Sequence, residues 1–227
     1  MKKRGFSTEL AYLLGLIVLA MGVVLMEKAD MGVSMVVAPA YLVYRKLSAA
    51  LPFFTFGMAE YLLQLALLIV LSIVQRRVQL RYALSFATAV LYGLILDGLM
   101  AAASVLPVTL PMRIVEYVLG LIASAAGVSM LFHTYFPPEA YELFVKEIAD
   151  RAHMPVHRFK TIYDCVSCAF SVVLSFAFFG FGVFEGVKWG TVLCALVNGT
   201  VIGLFNRMLE RNFEFRDLLP WRGFFEK

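Results

Sequence analysis

Three carboxylates interrupt long apolar stretches of the sequence. Glu60 lies within residues 53–75, Asp97 within residues 82–104, and Asp164 within residues 158–181. A charged side chain inside a membrane is costly, so such residues are candidates for ligand sites and ion pathways. We predict that Glu60 and Asp97 bind a cation, a proton or a cationic group of a substrate, and that Asp164 contributes to the same polar path.

The spacing of these acids suggests how they would meet. Glu60 and Asp97 each lie about 10 Å below the same membrane surface if a helix rises about 1.5 Å per residue. Their helices follow each other in the chain, so the two acids could face one site. Local partners are the alternative: Asp97 could meet Arg113 or a backbone group, and Asp164 could pair with Lys160 one turn away.

Two amides extend the candidate site. Gln64 lies one turn beyond Glu60 on the same helix face, and Asn198 lies in the middle of an apolar stretch near the C-terminus. Both can hydrogen-bond a polar solute. Asn198 could equally hold two helices together, which is a common use of amides in membranes.

The composition explains why these positions are expected to lie in a bilayer. Hydrophobic residues make up 61% of the 227 residues and charged residues 16%, whereas soluble domains carry about a quarter charged residues. Runs of roughly 20 apolar residues are long enough to span the hydrocarbon core as helices. The sequence therefore predicts one all-α membrane domain, residues 1–227, with spans at about 8–26, 53–75, 82–104, 113–134, 158–181 and 188–208.

Lysine and arginine predict the orientation. With both termini in the cytoplasm, fifteen of the 20 basic residues fall on the cytoplasmic side and five on the other. This asymmetry favours a multi-pass protein of the bacterial cytoplasmic membrane with a cytoplasmic N-terminus and C-terminus. The net charge of +4 is then explained by the basic residues that orient the protein in the membrane, and we expect no nucleic-acid partner.

A repeat divides the chain into halves. Residues 12–23, YLLGLIVLAMGV, and residues 117–128, YVLGLIASAAGV, are identical at eight of twelve positions. We predict one repeat over about 8–105 and a second over about 112–209, followed by a cytoplasmic tail at 210–227. Three spans per repeat is an odd number, so the second copy is inverted in the membrane. Inverted repeats are typical of transporters that open alternately to each side.

Each half also contains a shorter helical segment. The first starts at Gly32, with Ser34 as its expected N-cap, and residues 31–44 suit either a re-entrant or an interfacial helix. The second starts at Pro137-Pro138, expected in the first turn. Its acidic and apolar residues are more typical of an interfacial amphipathic helix.

The sequence lacks the short motifs that are typical of soluble enzymes. We find no phosphate-binding P-loop, no HExxH and no GxSxG. The CxxC of Cys165 and Cys168 has no thioredoxin-like context, so helix packing is favoured over a redox or metal role. We predict no enzyme activity, no cofactor and no metal.

Short glycine motifs carry a family resemblance: Gly22, Gly32-Val33-Ser34, Gly190-Thr191, Gly199 and Gly203. With these motifs the chain resembles the YczE/YyaS/YitT group of bacterial integral membrane proteins over nearly its whole length. Two departures are Met35, where that group often has proline, and Lys188, where it often has glycine. The resemblance implies a bacterial membrane protein of five or six spans and no particular substrate.

These observations predict a transporter or permease for a small solute, driven by alternating access and coupled to protons or another cation. Two alternatives stay open. One is the substrate-binding membrane subunit of an ATP-driven vitamin importer, and the other is a membrane accessory or scaffold protein that transports nothing. The expected partners are the lipid bilayer and a small molecule or ion, with a homodimer or a partner subunit both open.

Overall fold

The computed structural model of the protein describes residues 4–104, 110–220 and 222–225. The helices are α1 (Thr8–Ala29), α2 (Ala38–Leu47), α3 (Phe56–Gln75), α4 (Leu80–Ala103), α5 (Leu110–Phe132), α6 (Ala140–Arg151), α7 (Val156–Phe179), α8 (Trp189–Asn212) and α9 (Arg222–Phe225). Two short strands are β1 (Arg4–Ser7) and β2 (Phe213–Arg216).

Six of these helices, α1, α3, α4, α5, α7 and α8, are long and apolar enough to cross a membrane. The six long apolar helices predicted from the sequence are thus confirmed, with ends that differ by a few residues. Side chains such as Leu196 and Leu204 on α8 are 76% and 66% exposed, as expected for surfaces that face lipid. The architecture is consistent with a multi-pass membrane protein.

Local sequence explains where the spans begin and end. Ser7 and Thr55 cap α1 and α3, since their hydroxyls accept hydrogen bonds from Leu10 N at 3.1 Å and Met58 N at 3.2 Å. The chain then turns back after α3 at Arg76, which adopts a left-handed conformation with φ of 53°.

Helices α1 and α5 cross at the centre of the bundle through glycines. Gly15 lies against Gly127, and Gly22 lies against Gly120 and Ser124. A β-carbon added to Gly22 would lie 2.7 Å from the carbonyl oxygen of Gly120, which is closer than van der Waals contact allows. Glycine at these positions therefore lets the two backbones approach directly, as in other membrane helix pairs.

The two short helices lie alongside long helices of the other half. Helix α2 begins beside the middle of α7, where the Ser167 hydroxyl donates to Met35 O at 2.7 Å. It ends where Lys46 donates to Phe178 O at 2.8 Å. Helix α6 likewise begins beside Gln64 of α3 and ends beside Gln75, which donates to Glu147 O at 3.1 Å.

The expected starts of the short helices were misplaced. Val37, not Ser34, is the N-cap residue of α2, and Pro39 occupies the first turn. Pro137 and Pro138 precede α6, whose N-cap is Glu139. The proline pair instead supplies carbonyl groups to α4, because Ser85 donates to Pro138 O at 2.7 Å.

The two ends of the described chain pair with each other, although the sequence predicted only a cytoplasmic tail at residues 210–227. Strand β1 pairs in parallel with β2, with Arg4 opposite Phe213. The Glu9 carboxylate accepts hydrogen bonds from the backbone of Leu218 and Leu219 at 3.0–3.2 Å. We call the side of the bundle that carries β1 and β2 the terminal face, and the other side the opposite face.

Candidate functional site

A small cavity of about 50 Å³ lies in the centre of the helix bundle. We call it the central cavity. Its walls come from α1, α4, α5, α6, α7, α8 and the segment before α2, mostly from the middle of each long helix. Its polar lining residues are Ser34, Tyr92, Ser124, Glu139, Tyr141, Glu142, Lys160 and Asn198.

Three lining residues carry buried oxygen atoms without a hydrogen-bond partner in the described structure. These are Ser124 Oγ on α5, Glu139 Oε1 before α6 and Asn198 Oδ1 on α8. A buried polar group left unpaired costs about 1–3 kcal/mol. Polar atoms that line a cavity in this condition are available to water, an ion or a polar solute.

Among the described residues, Glu139 is one of the two acids that line this cavity. It is 5% exposed and occupies the N-cap position of α6. Its Oε2 atom lies 3.5 Å from Gln64 Nε2, while Gln64 Oε1 accepts from Ala140 N at 3.0 Å. Burial raises the pKa of Glu139 well above the usual glutamate range, and the charges of Glu142 and Glu60 raise it further.

Glu60 and Gln64 lie directly behind the cavity wall. Both are fully buried. The Tyr141 hydroxyl donates to Glu60 Oε2 at 2.9 Å, and Glu60 Oε1 has no partner among the described residues. Each buried acid thus has one partner on the neighbouring segment: Tyr141 of α6 donates to Glu60 of α3, and Gln64 of α3 donates to Glu139.

Lys160 carries the positive charge at the cavity. Its ammonium group lies 3.8 Å from Glu142 Oε1 and 3.8 Å from Asp164 Oδ1. The predicted pairing of Asp164 with Lys160 is thus present. Lys160 lines the central cavity, whereas Asp164 lies behind it. Glu142 and Lys160 also line a depression of about 410 Å³ on the terminal face. This ion pair stands between the central cavity and that depression.

Asp97 has a different environment from the one expected. Its carboxylate accepts from Gly57 N and from the Thr55 hydroxyl, both at 2.7 Å. It therefore caps the first turn of α3, which is the backbone contact given above as the alternative. The structure does not place Asp97 beside Glu60 on a common surface: Glu60 faces Tyr141 of α6. Arg113 pairs with Asp30 at 3.7 Å instead.

A second depression, of about 570 Å³, lies on the opposite face. It is lined by charged residues, among them Glu27, Arg45, Glu185 and Lys188. Arg45 and Glu185 approach to 2.9 Å across it. This depression shares no lining residue with the central cavity, so the two are separate spaces in this conformation.

Comparison with known proteins gives one match. Residues 6–207 match the model of a family of unknown function, DUF6198. The chain belongs to the DUF6198 family. No curated protein and no solved structure matches it. Membership in DUF6198 provides no link to the YczE/YyaS/YitT group, so that resemblance stays a prediction.

The sequence analysis of this DUF6198 protein identified Asn198 as a cavity residue but missed Glu139. The acids of α6 were assigned to an interfacial helix, so none was considered for a site inside the bundle. One signal was available. At the offset of 105 residues that relates the two glycine helices, Ser34 corresponds to Glu139, and both residues line the central cavity.

Proposed function

We propose that the protein is a membrane transporter for a small polar solute that works by alternating access of two inverted repeats. The observation that carries the proposal is the central cavity, at which the N-terminal ends of α2 and α6 meet and buried oxygens of three elements lack partners. Polar groups are expensive to bury in a membrane protein and commonly mark a substrate or ion pathway.

The packing of α1 against α5 supports the inverted repeat. In the sequence repeat, Gly15 corresponds to Gly120 and Gly22 to Gly127. In space, Gly15 lies against Gly127 and Gly22 against Gly120. Exchanging the two halves converts one contact into the other, as a two-fold axis between antiparallel helices requires. A rotation axis in the membrane plane is the symmetry of inverted-repeat transporters.

The short helices support the same symmetry. Helix α2 of the first half lies along α7 of the second half, and α6 of the second half lies along α3 of the first half. Both begin near the middle of the bundle and end near a face. We therefore infer that α2 and α6 are re-entrant helices. Broken or half-length helices that end at the membrane midplane commonly build solute sites in transporters.

The two depressions suggest the access routes. The terminal-face depression reaches Glu142 and Lys160, which also line the cavity. The opposite-face depression is separated from it. In the proposed cycle, each half tilts about the α1–α5 contact, and separation of Glu142 from Lys160 opens the cavity to the terminal face. The cavity of about 50 Å³ is too small for a drug-sized molecule, so this conformation represents a closed state.

Uptake by reconstituted protein tests the proposal. Purified protein in proteoliposomes is screened with radiolabelled amino acids, sugars, nucleobases and small organic ions. For a transported solute, Asn198→Ala should weaken apparent affinity about tenfold, the equivalent of roughly 1.4 kcal/mol from one hydrogen bond. Asn212→Ala, at the exposed end of the same helix, is the matched control and should leave uptake unchanged.

Two results would contradict this function. One is that no solute in the panel moves under any ion gradient. The other is that Asn198→Ala and Asn212→Ala behave alike for a solute that does move. Uptake that appears only after an ATPase is added would support the vitamin-importer alternative instead.

A further inference from the structure

We propose that Glu139 is the proton-binding residue of the central cavity, so that opening the cavity to water releases a proton and closing it takes one up. The inference rests on the proposed transport function, and it identifies the coupling ion, which that function leaves open. The inference depends on the position of the Glu139 carboxyl group, which is buried, lines the cavity and has no ion-pair partner among the described residues.

The geometry of Glu139 fits a neutral carboxylic acid better than a carboxylate in the closed cavity. One oxygen approaches the amide of Gln64 at 3.5 Å, and the other has no partner. No lysine or arginine of the described residues forms an ion pair with Glu139, whereas Glu142 and Asp164 share Lys160. A buried carboxylate without a counter-charge is strongly disfavoured, and such a group binds a proton instead.

The groups that surround Glu139 are mostly acidic or neutral. Helix α3 contributes Glu60 and Gln64, α6 contributes Tyr141 and Glu142, and α7 contributes Lys160. The remaining neighbours are Tyr12 of α1, Tyr92 of α4, Ser124 of α5 and Asn198 of α8. Lys160, the one ammonium group among these described residues, is already shared between Glu142 and Asp164, so the surroundings favour the protonated form of Glu139.

Water changes this balance. When the cavity opens, water can solvate the carboxylate of Glu139, which removes most of the cost of its negative charge. The O–H bond of Glu139 then breaks and the proton passes to water on the open side. As the cavity closes, the carboxylate takes a proton from that same side, and the next opening, to the other side, releases that proton there. The burial of Glu139 thereby couples proton movement to the conformational cycle.

Infrared difference spectroscopy tests the proton site without any transport assay. Purified protein in lipid at neutral pH should show a C=O stretching band of a protonated carboxylic acid that shifts in D₂O. Glu139→Gln should remove the component due to Glu139, and Glu139→Asp should shift it. Asp150→Asn, which changes an exposed acid of the same helix, should leave the band unchanged.

The outcomes separate this inference from the proposed function. If the wild-type protein shows no protonated carboxyl band at neutral pH, or if Glu139→Gln leaves the band intact, the proton assignment is overturned while transport can still stand. If the band behaves as expected and no solute is transported, the proton site stands and the transport function fails. In a transporting preparation, Glu139→Gln should abolish accumulation driven by a proton gradient while solute exchange continues.

Discussion

Gly22 of α1 lies directly against Gly120 of α5, and a β-carbon on either residue would approach the carbonyl oxygen of the other to 2.7 Å. We therefore expect Gly22→Ala to force the two helices apart. Overpacking of this kind typically costs about 1–3 kcal/mol, so the midpoint of thermal unfolding in lipid nanodiscs should fall.

Gly203→Ala is the control for this substitution. Gly203 lies on α8 and has no atom within 4 Å of the position a β-carbon would take. Alanine favours a helix over glycine by about 1 kcal/mol, so the midpoint should stay or rise slightly. Equal losses from both variants would show that α1 and α5 do not make the close contact described.

The six spans were predictable because length and hydropathy are local properties of the sequence. The burial of Glu139 was not, because it depends on the path of the chain after α5. Residues 133–139 turn back into the bundle, so α6 presents Tyr141 and Leu143 to helix α3 instead of to a membrane surface. The mixture of acidic and apolar residues in α6 is the same in both arrangements, and only the contacts of the folded chain distinguish them.

For Asp97, the sequence identified the acid but could not identify its partner. Its position inside an apolar stretch was identified correctly, but its partner depends on how α3 and α4 are aligned. The alignment places Asp97 beside the first turn of α3, whose free backbone N–H groups need acceptors. An intramembrane acid can therefore serve the fold alone, and the sequence does not distinguish this role from ligand binding.

The capping role of Asp97 leads to a second prediction. Asp97→Ala removes the acceptor for Gly57 N and Thr55 Oγ1 and should destabilise the protein by about 1–2 kcal/mol, the usual cost of losing a cap. Asp97→Asn keeps one acceptor oxygen and should cost less. Thermal unfolding measures both. A change in apparent solute affinity in Asp97→Asn, without loss of stability, would instead indicate a role at the solute site.

The pH dependence of stability should report on Glu139. Its pKa is raised in the folded protein, so the folded state holds a proton that the unfolded state loses above a pKa of about 4.3. The stabilisation of the folded state by this bound proton is fully present below the unfolded-state pKa. It is lost as the pH rises through the folded-state pKa of Glu139. The unfolding midpoint of the wild-type protein should therefore fall more steeply with rising pH than that of Glu139→Gln. Parallel curves for the two proteins would contradict a raised pKa at Glu139.

Labelling of single cysteines should reveal the inverted topology. After replacement of the three native cysteines, Arg45→Cys and Arg151→Cys place exposed thiols near the ends of α2 and α6. A membrane-impermeant maleimide should reach them from opposite sides of right-side-out vesicles. Arg216→Cys, in β2 on the terminal face, should share the side of Arg151. Labelling of positions 45 and 151 from one side would exclude inverted repeats.

The ion pair between Lys160 and Glu142 should control access to the central cavity from the terminal face. Lys160→Gln leaves Glu142 and Asp164 without the charge that now lies 3.8 Å from each. Because the two like charges then repel and attract water, this wall of the cavity should open more often. A thiol introduced by Asn198→Cys inside the cavity reports on this opening through its rate of reaction with a maleimide applied to the terminal face.

We expect the reaction in the Lys160→Gln background to be several-fold faster than in the Asn198→Cys protein alone. Lys146→Gln is the matched control, since Lys146 is an exposed lysine that lines the same terminal-face depression but not the central cavity. It should leave the rate unchanged, because its charge is not shared with Glu142. If both lysine variants accelerate labelling equally, then general electrostatics of the depression, rather than the Lys160–Glu142 pair, limits entry to the cavity.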